Sequence, residues 1–124
     1  MNKITIKTAT TEDFFRHGRD IARKADAGQR LQPEKIISFD DPADLLSLLT
    51  TARLDVYRAV KERAESITGV AARLHRDRSA VKRDVDALAR AGLLEVEDKV
   101  LPGHGRMKEV RLVAERLQLV AMVA

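Results

Sequence analysis

The stretch Ser66–Leu93, SITGVAARLHRDRSAVKRDVDALARAGL, decides how the rest of the chain is read. Its first half places Ile67, Val70, Ala71 and Leu74 at the i, i+3, i+4, i+7 spacing of one buried helix face. Ser66 stands just before that run, where a hydroxyl can accept from a free backbone N–H of the first turn. The second half repeats the pattern with Val81, Val85 and Leu88. Asp77 is placed to cap it, and Gly92 closes it as a residue tolerant of positive φ. Only His75, Arg76 and Asp77 separate Leu74 from the second helix. Two helices joined that tightly, with apolar faces that must share one core, have to cross steeply.

The opposite face of the second helix carries the chemistry. At about 100° per residue, Val81, Val85 and Leu88 fall within a narrow arc. Ser79, Lys82, Arg83, Asp86 and Arg90 lie on or beside the other side, and Arg76 and Arg78 flank the N-terminal end. These are donors suited to phosphate oxygens and guanine edges, on an element narrow enough for a major groove. Taken alone, basic residues opposite an apolar stripe are most often just a solvated helix face. Two helices in order, a three-residue turn, both caps and a downstream hairpin favour nucleic-acid binding instead. In its residues GVAARL and DRSAVKRDVDALARAGLLE the stretch resembles the helix-turn-helix of MarR- and ArsR-type winged-helix transcription regulators. The resemblance is strong over Ser66–Leu93 and departs in the turn, where many relatives have glycine and this chain has His75. Histidine tolerates left-handed φ better than most residues. The whole-chain layout is also similar to that of prokaryotic regulators that act as the DNA-binding antitoxin of a toxin–antitoxin pair, which adds a toxin protein as a candidate partner.

Length and composition bound the reading. A chain of 124 residues suits one domain with a small appendage. Hydrophobic residues at 44% and charged residues at 34% are ordinary for a soluble globular protein. No apolar run approaches a membrane span, and the N-terminal MNKITIKTATTEDFF lacks the apolar core of a signal peptide, so a cytoplasmic protein is expected. With no cysteine, disulfides and thiolate metal sites are excluded. Residues 1–50 hold eight Lys/Arg and eight Asp/Glu, whereas residues 51–124 hold fifteen and eleven, so the whole net charge of +4 lies in the second part. A basic excess there fits a partner whose phosphates release counterions on binding.

Along the chain, Lys3–Thr8 alternates at period two and predicts a strand. Thr10–Asp13 has the composition of a helix start. A helix to about Ala27 follows, with Phe14, Phe15, Ile21, Ala22 and Ala25 available for burial and Gly28 as a stop. Lys35–Phe39 predicts a second strand. Pro42 opens a helical region with Leu45, Leu46, Leu48 and Leu49, and Thr50-Thr51 caps a helix to about Arg63. After Gly92, Leu93–Leu101 and Arg106–Val113 alternate around Pro102-Gly103-His104-Gly105 and predict a hairpin. As the wing of a winged helix, it would carry His104, Arg106 and Lys108 at its tip toward a phosphate backbone or minor groove. The tail Ala114–Ala124 fits either a helix face or a strand. All three phenylalanines precede residue 40, which disfavours single-strand or RNA binding through exposed stacking rings.

The expected fold is therefore α+β: a winged helix-turn-helix, with a three-helix core plus a β-hairpin wing, and an N-terminal strand-helix-strand extension. Its divisions are 1–41 (extension and dimerisation), 42–113 (DNA-binding domain) and 114–124 (apolar tail and dimer contact). The expected function is a sequence-specific regulator of double-stranded DNA, a repressor acting as a homodimer. Its DNA-binding residues would be Arg76, Arg78, Ser79, Lys82, Arg83, Arg90, His104, Arg106 and Lys108. The competing reading is a protein-interaction module on the same scaffold without DNA reading. His17, His75 and His104 lie far apart in sequence, and no nucleophile, base and orienting group assemble. Neither an enzyme, a metal site nor a cofactor is expected.

Overall fold

The computed structural model describes residues 3–8, 11–28, 34–103 and 105–121. Among them are five helices and two three-stranded sheets. The chain forms two compact units, Met1–Leu46 with Arg116–Ala124, and Ser47–Glu115.

The first unit is built on a parallel sheet of order β2-β1-β6, with β1 at Lys3–Thr8, β2 at Glu34–Phe39 and β6 at Arg116–Val120. Parallel neighbours need a crossover rather than a hairpin, and helix α1, Thr11–Asp26, supplies it between β1 and β2. Ile4 and Ile6 of the central strand are fully buried, and the Thr5 hydroxyl donates to Gln118 Oε1 on β6 at 3.4 Å. The tail is thus a strand, with Leu117 opposite Ile4 and Leu119 opposite Ile6. Residues 18–26 of α1 are exposed. Ile21, Ala22 and Ala25 therefore do not fill a core, in a segment whose Arg19, Asp20, Arg23, Lys24 and Asp26 keep it in water. The side chains of Phe14 and Phe15 lie outside the described residues.

The second unit holds α3 (Thr51–Glu62), β3 (Glu65–Ser66), α4 (Ile67–Leu74), α5 (Arg78–Arg90), β4 (Leu94–Leu101) and β5 (Gly105–Leu112). Helix α2, Pro42–Leu48, lies where the two units divide. Val56, Val70, Val81, Val85, Leu88, Leu93 and Val110 are fully buried, each contributing about 1.5–3 kcal/mol relative to exposure. Tyr57 donates its hydroxyl to the Ala114 carbonyl at 3.0 Å.

Helices α3, α4 and α5 each begin where a side-chain oxygen satisfies a free amide. Thr50 Oγ1 accepts from Arg53 N at 3.2 Å, Ser66 Oγ from Gly69 N at 3.0 Å, and Asp77 Oδ2 from Ser79 N at 3.2 Å. Helices α4 and α5 end alike. His75 adopts φ 54° and ψ 42°, and Arg76 N reaches back to Ala71 O at 3.0 Å. Gly92 sits at φ 85°, and Leu93 N reaches Leu88 O at 2.9 Å. Both are Schellman closures, and histidine performs at the turn what glycine performs after α5.

Sheet order β3-β5-β4 adds a short strand that the period-two pattern does not signal. Glu65 and Ser66 pair with Val110 and Glu109, so the residue that caps α4 is also bonded to the hairpin. Gly69 leaves room for this arrangement, because a Cβ there would collide with the Glu65 side chain.

One charged side chain sits inside the unit. Asp84 on α5 is only 8% exposed. Arg53 of α3 donates Nε to its Oδ1 at 3.2 Å and Nη1 to the carbonyls of Ser47 and Leu48, both at 3.0 Å. Arg76 Nη1 lies 2.9 Å from Asp84 Oδ2, off the angle of a hydrogen bond, so charge holds that pair. Removing one partner of a buried pair leaves uncompensated charge and costs about 3–5 kcal/mol. Asp84→Ala should therefore lower stability in urea by roughly 3 kcal/mol. Asp86→Ala, which breaks an exposed pair with Lys82, should change it by no more than about 0.5 kcal/mol. Equal losses would show that Asp84 is not a buried anchor.

Candidate nucleic-acid interface

Four elements of the second unit converge on a groove of about 540 Å³, lined by Ser66, Ile67, Thr68, Arg78, Lys82, Arg106, Met107 and Lys108. The first three come from β3 and the start of α4, Arg78 and Lys82 from the first turns of α5, and the last three from β5. Four of the lining side chains are cationic and none is a carboxylate.

The hairpin register explains how β5 reaches this place. Leu94 stands opposite Leu112, Val96 opposite Val110, Asp98 opposite Lys108 and Val100 opposite Arg106. Side chains alternate between faces, so Lys108 and Arg106 continue the face whose inner end is the buried Val110. That face turns from apolar to charged on its way to the tip, where Asp98 stands across from Lys108. The other face carries Glu95, Glu97 and Glu109 around Arg111, which pairs with Glu95 at 3.3 Å and also with Glu97. Lys99 pairs with Glu109 at 3.0 Å. The hairpin thus separates a face of paired charges from one that carries Arg106 and Lys108, with Asp98 across from Lys108. Val100, beside Arg106, is 72% exposed.

The residues named from the sequence divide into groups. Arg78, Lys82, Arg106 and Lys108 meet around the groove. Arg83 and Arg90 are exposed on α5 outside it, and among the described residues neither forms an ion pair. Arg76, expected at a phosphate, has a side chain that is 29% exposed and turned to Asp84, because a buried carboxylate needs a second cation. The Ser79 hydroxyl differs too, donating to Asp77 rather than standing free toward a groove. His104 lies outside the described residues. Lys82 Nζ is 2.8 Å from Asp86 Oδ2 on the next turn.

Thr68 was not among the expected residues. Its Oγ1 accepts from Arg78 Nε at 3.0 Å, which ties the start of α4 to the start of α5. The only trace in sequence is a hydroxyl in the first turn of one helix and an arginine opening the next. Among the described residues, no group of three or more His, Asp or Glu side chains is placed to hold a metal ion, and no helix is long and apolar enough to cross a membrane.

A family model matches residues 48–120, which takes in the second unit from Leu48 and strand β6. The chain belongs to the HVO_A0114 family. The match covers the whole groove of this HVO_A0114-family protein and omits α1, β1 and β2. Among solved structures, a possible transcriptional regulator from Methanosarcina mazei Go1 is similar, at 22% identity and a TM-score of 0.49, over 62% of this chain and 68% of that one. No curated protein matches the chain.

Two carboxyls of the second unit lie below their ordinary range. For Asp77, the hydrogen bond from the Ser79 hydroxyl is the largest cause and burial opposes it; the amides of Ser79 and Ala80 and the charge of Arg83 then add, and the carboxyl lies below its ordinary range. For Glu65, burial pushes upward, but Arg63 and then Arg73, whose Nε donates at 2.7 Å, outweigh it and hold the carboxyl low. A carboxyl lowered by folding stabilises the fold above its unfolded value, and that contribution disappears as pH falls through the folded value. Burial raises the Tyr57 hydroxyl, so its ionisation in the unfolded chain removes stability as pH rises past the ordinary tyrosine range. The midpoint of urea unfolding should therefore fall on acidification through the carboxylate range, and less so in Asp77→Asn. An Asp77→Asn variant with the full acid dependence would show that this cap is not among its sources.

Proposed function

We propose that the second unit is a winged helix-turn-helix and that the protein is a sequence-specific regulator binding double-stranded DNA. The observation that carries this is the groove between α5 and β5, with Arg78, Lys82, Arg106 and Lys108 around it and no carboxylate in its lining. In this reading α4 and α5 are the helix pair, α5 enters the major groove, and β4–β5 is the wing. Arg83 and Arg90 extend the basic face along α5, within reach of base edges and the adjoining phosphates. Arg106 on the wing, beside exposed Val100, suits the narrower groove next to it, where cation and apolar contacts combine.

One helix of this length reads only a few base pairs, so specificity against a genome calls for two copies. The reading therefore includes a homodimer on an inverted repeat, with half-sites about 34–36 Å apart. The first unit, outside the groove, supplies a surface for that contact through Leu119 and Val120, which are 42% and 46% exposed on the sheet-edge strand β6. Occupation of such a site at a promoter is the simplest form of repression.

Selection of bound duplexes from a random pool tests the whole reading. The recovered sequences should be inverted repeats, and affinity should fall steeply as salt rises. Arg83→Ala should weaken binding to the selected duplex by about 1–3 kcal/mol, as loss of a bidentate base contact does, with folding stability within about 0.5 kcal/mol of the parent. Arg106→Ala should weaken selected and unselected duplexes alike and flatten the slope of log affinity against log salt by roughly one. Salt-insensitive binding, or none, would return the unit to a protein-interaction role.

A further inference from the structure

The cations of the second unit are not equivalent. Arg76 is matched by Asp84, Lys82 by Asp86, Arg73 by Glu65 and Arg111 by Glu95 and Glu97. Each carboxylate cancels much of the field that its cation would offer to a ligand. Arg83, Arg90, Arg106 and Lys108 form no ion pair and no side-chain hydrogen bond among the described residues. Arg78 alone in the groove is both held and uncancelled, because its partner, Thr68 Oγ1 at 3.0 Å, is neutral.

The atom used for that bond matters. Arginine presents its donors as a planar fork. With Nε donated to Thr68, the Nη1 and Nη2 groups remain available, and the fork is held at one end. A guanidinium presented in this way meets the paired acceptors of a guanine edge or a phosphate in bidentate fashion. Ordering a free side chain of this length on binding costs affinity, and here the ordering precedes binding. Thr68 itself is exposed and sits in the first turn of α4, so its hydroxyl is not needed to fill a core.

We infer that Thr68 is a positioning residue for Arg78, and that this pair sets which duplex sequence the groove prefers. The inference rests on the DNA-binding reading above and deepens it by assigning specificity to one pair.

Thr68→Val keeps the branched shape and removes the acceptor, and Thr68→Ser restores it. With the selected duplex as probe, Thr68→Val should bind about three- to tenfold more weakly, and Thr68→Ser should bind as the parent does. Affinity for a mixed-sequence duplex should stay unchanged, as should the salt slope, because no charge is altered. In an Arg78→Ala background, Thr68→Val should cause no further loss, as expected when one residue acts through the other. Parental affinity in Thr68→Val, or the same loss with and without Arg78, would overturn the inference while leaving DNA binding intact. A parent chain with no salt-dependent affinity for any duplex would overturn the DNA reading and the inference together.

Discussion

A carboxylate withdrawn from water has to find cations within reach, and in the second unit that demand falls on Asp84. It sits in the middle of α5, beside Val85 and one turn before Leu88, all three buried. Its two oxygens look to different elements, Oδ1 to Arg53 on α3 and Oδ2 to Arg76 in the turn before α5. Arg53 spends a further nitrogen on the carbonyls of Ser47 and Leu48 at the end of α2. One aspartate thereby restrains α3, α5, the turn and the last carbonyls of α2. Leucine at this position would satisfy packing and leave two arginines facing an apolar wall. A buried ion pair is weak evidence of net stability, and its use here is to fix which way α5 is rolled. Roll decides which side chains α5 presents, so Asp84 governs the exposed face while taking no part in it.

A second restraint sets the distance between α5 and the hairpin. Ser66 caps α4 through its hydroxyl and pairs with Glu109 through its backbone. The start of α4 is thus bonded to the strand that carries Lys108 and Arg106, and through Thr68 to the arginine that opens α5. The groove is what remains between elements joined at one end by two short bonds. One of those joints is β3, a strand of two residues. Glu65 supports this corner from below, drawn over Gly69 by Arg63 and Arg73.

What the sequence made legible follows the reach of each signal. Caps and closures are local: Ser66, Thr50, Asp77, His75 and Gly92 stand within a few residues of the amides and carbonyls they satisfy, and all were readable. Alternation over residues 93–113 announced two strands and their turn. Pairings between distant segments carry no comparable mark. Nothing in RLQLV specifies that it lies parallel to Ile4 and Ile6 rather than forming a helix, because Leu117, Val120, Ala121 and Ala124 suit a helix face while Leu117 and Leu119 suit a strand. The two-residue β3 is too short to alternate. The pairing of Arg76 is hidden for the same reason: a basic residue beside a basic helix reads as part of its face, and only the fold shows the buried carboxylate eight positions along that it faces. Thr68 carries no signal of its own, because a hydroxyl in a first helical turn ordinarily serves its own helix.

The net charge of +4 says little about the field that a ligand would meet, since pairing redistributes it. Exposed ion pairs add little to stability, yet each removes a cation and an anion from the long-range potential together. In the second unit the pairs of Arg63 and Arg73 with Glu65, of Arg111 with Glu95 and Glu97, and of Lys99 with Glu109 lie away from the groove. They consume most of the carboxylates on that side of the unit. Arg78, Arg106 and Lys108 around the groove, and Arg83 and Arg90 along α5, remain outside ion pairs among the described residues. A modest overall excess therefore becomes a concentrated one on a single face. Concentration of that kind, rather than total charge, is what attracts a polyanion and orients it on arrival.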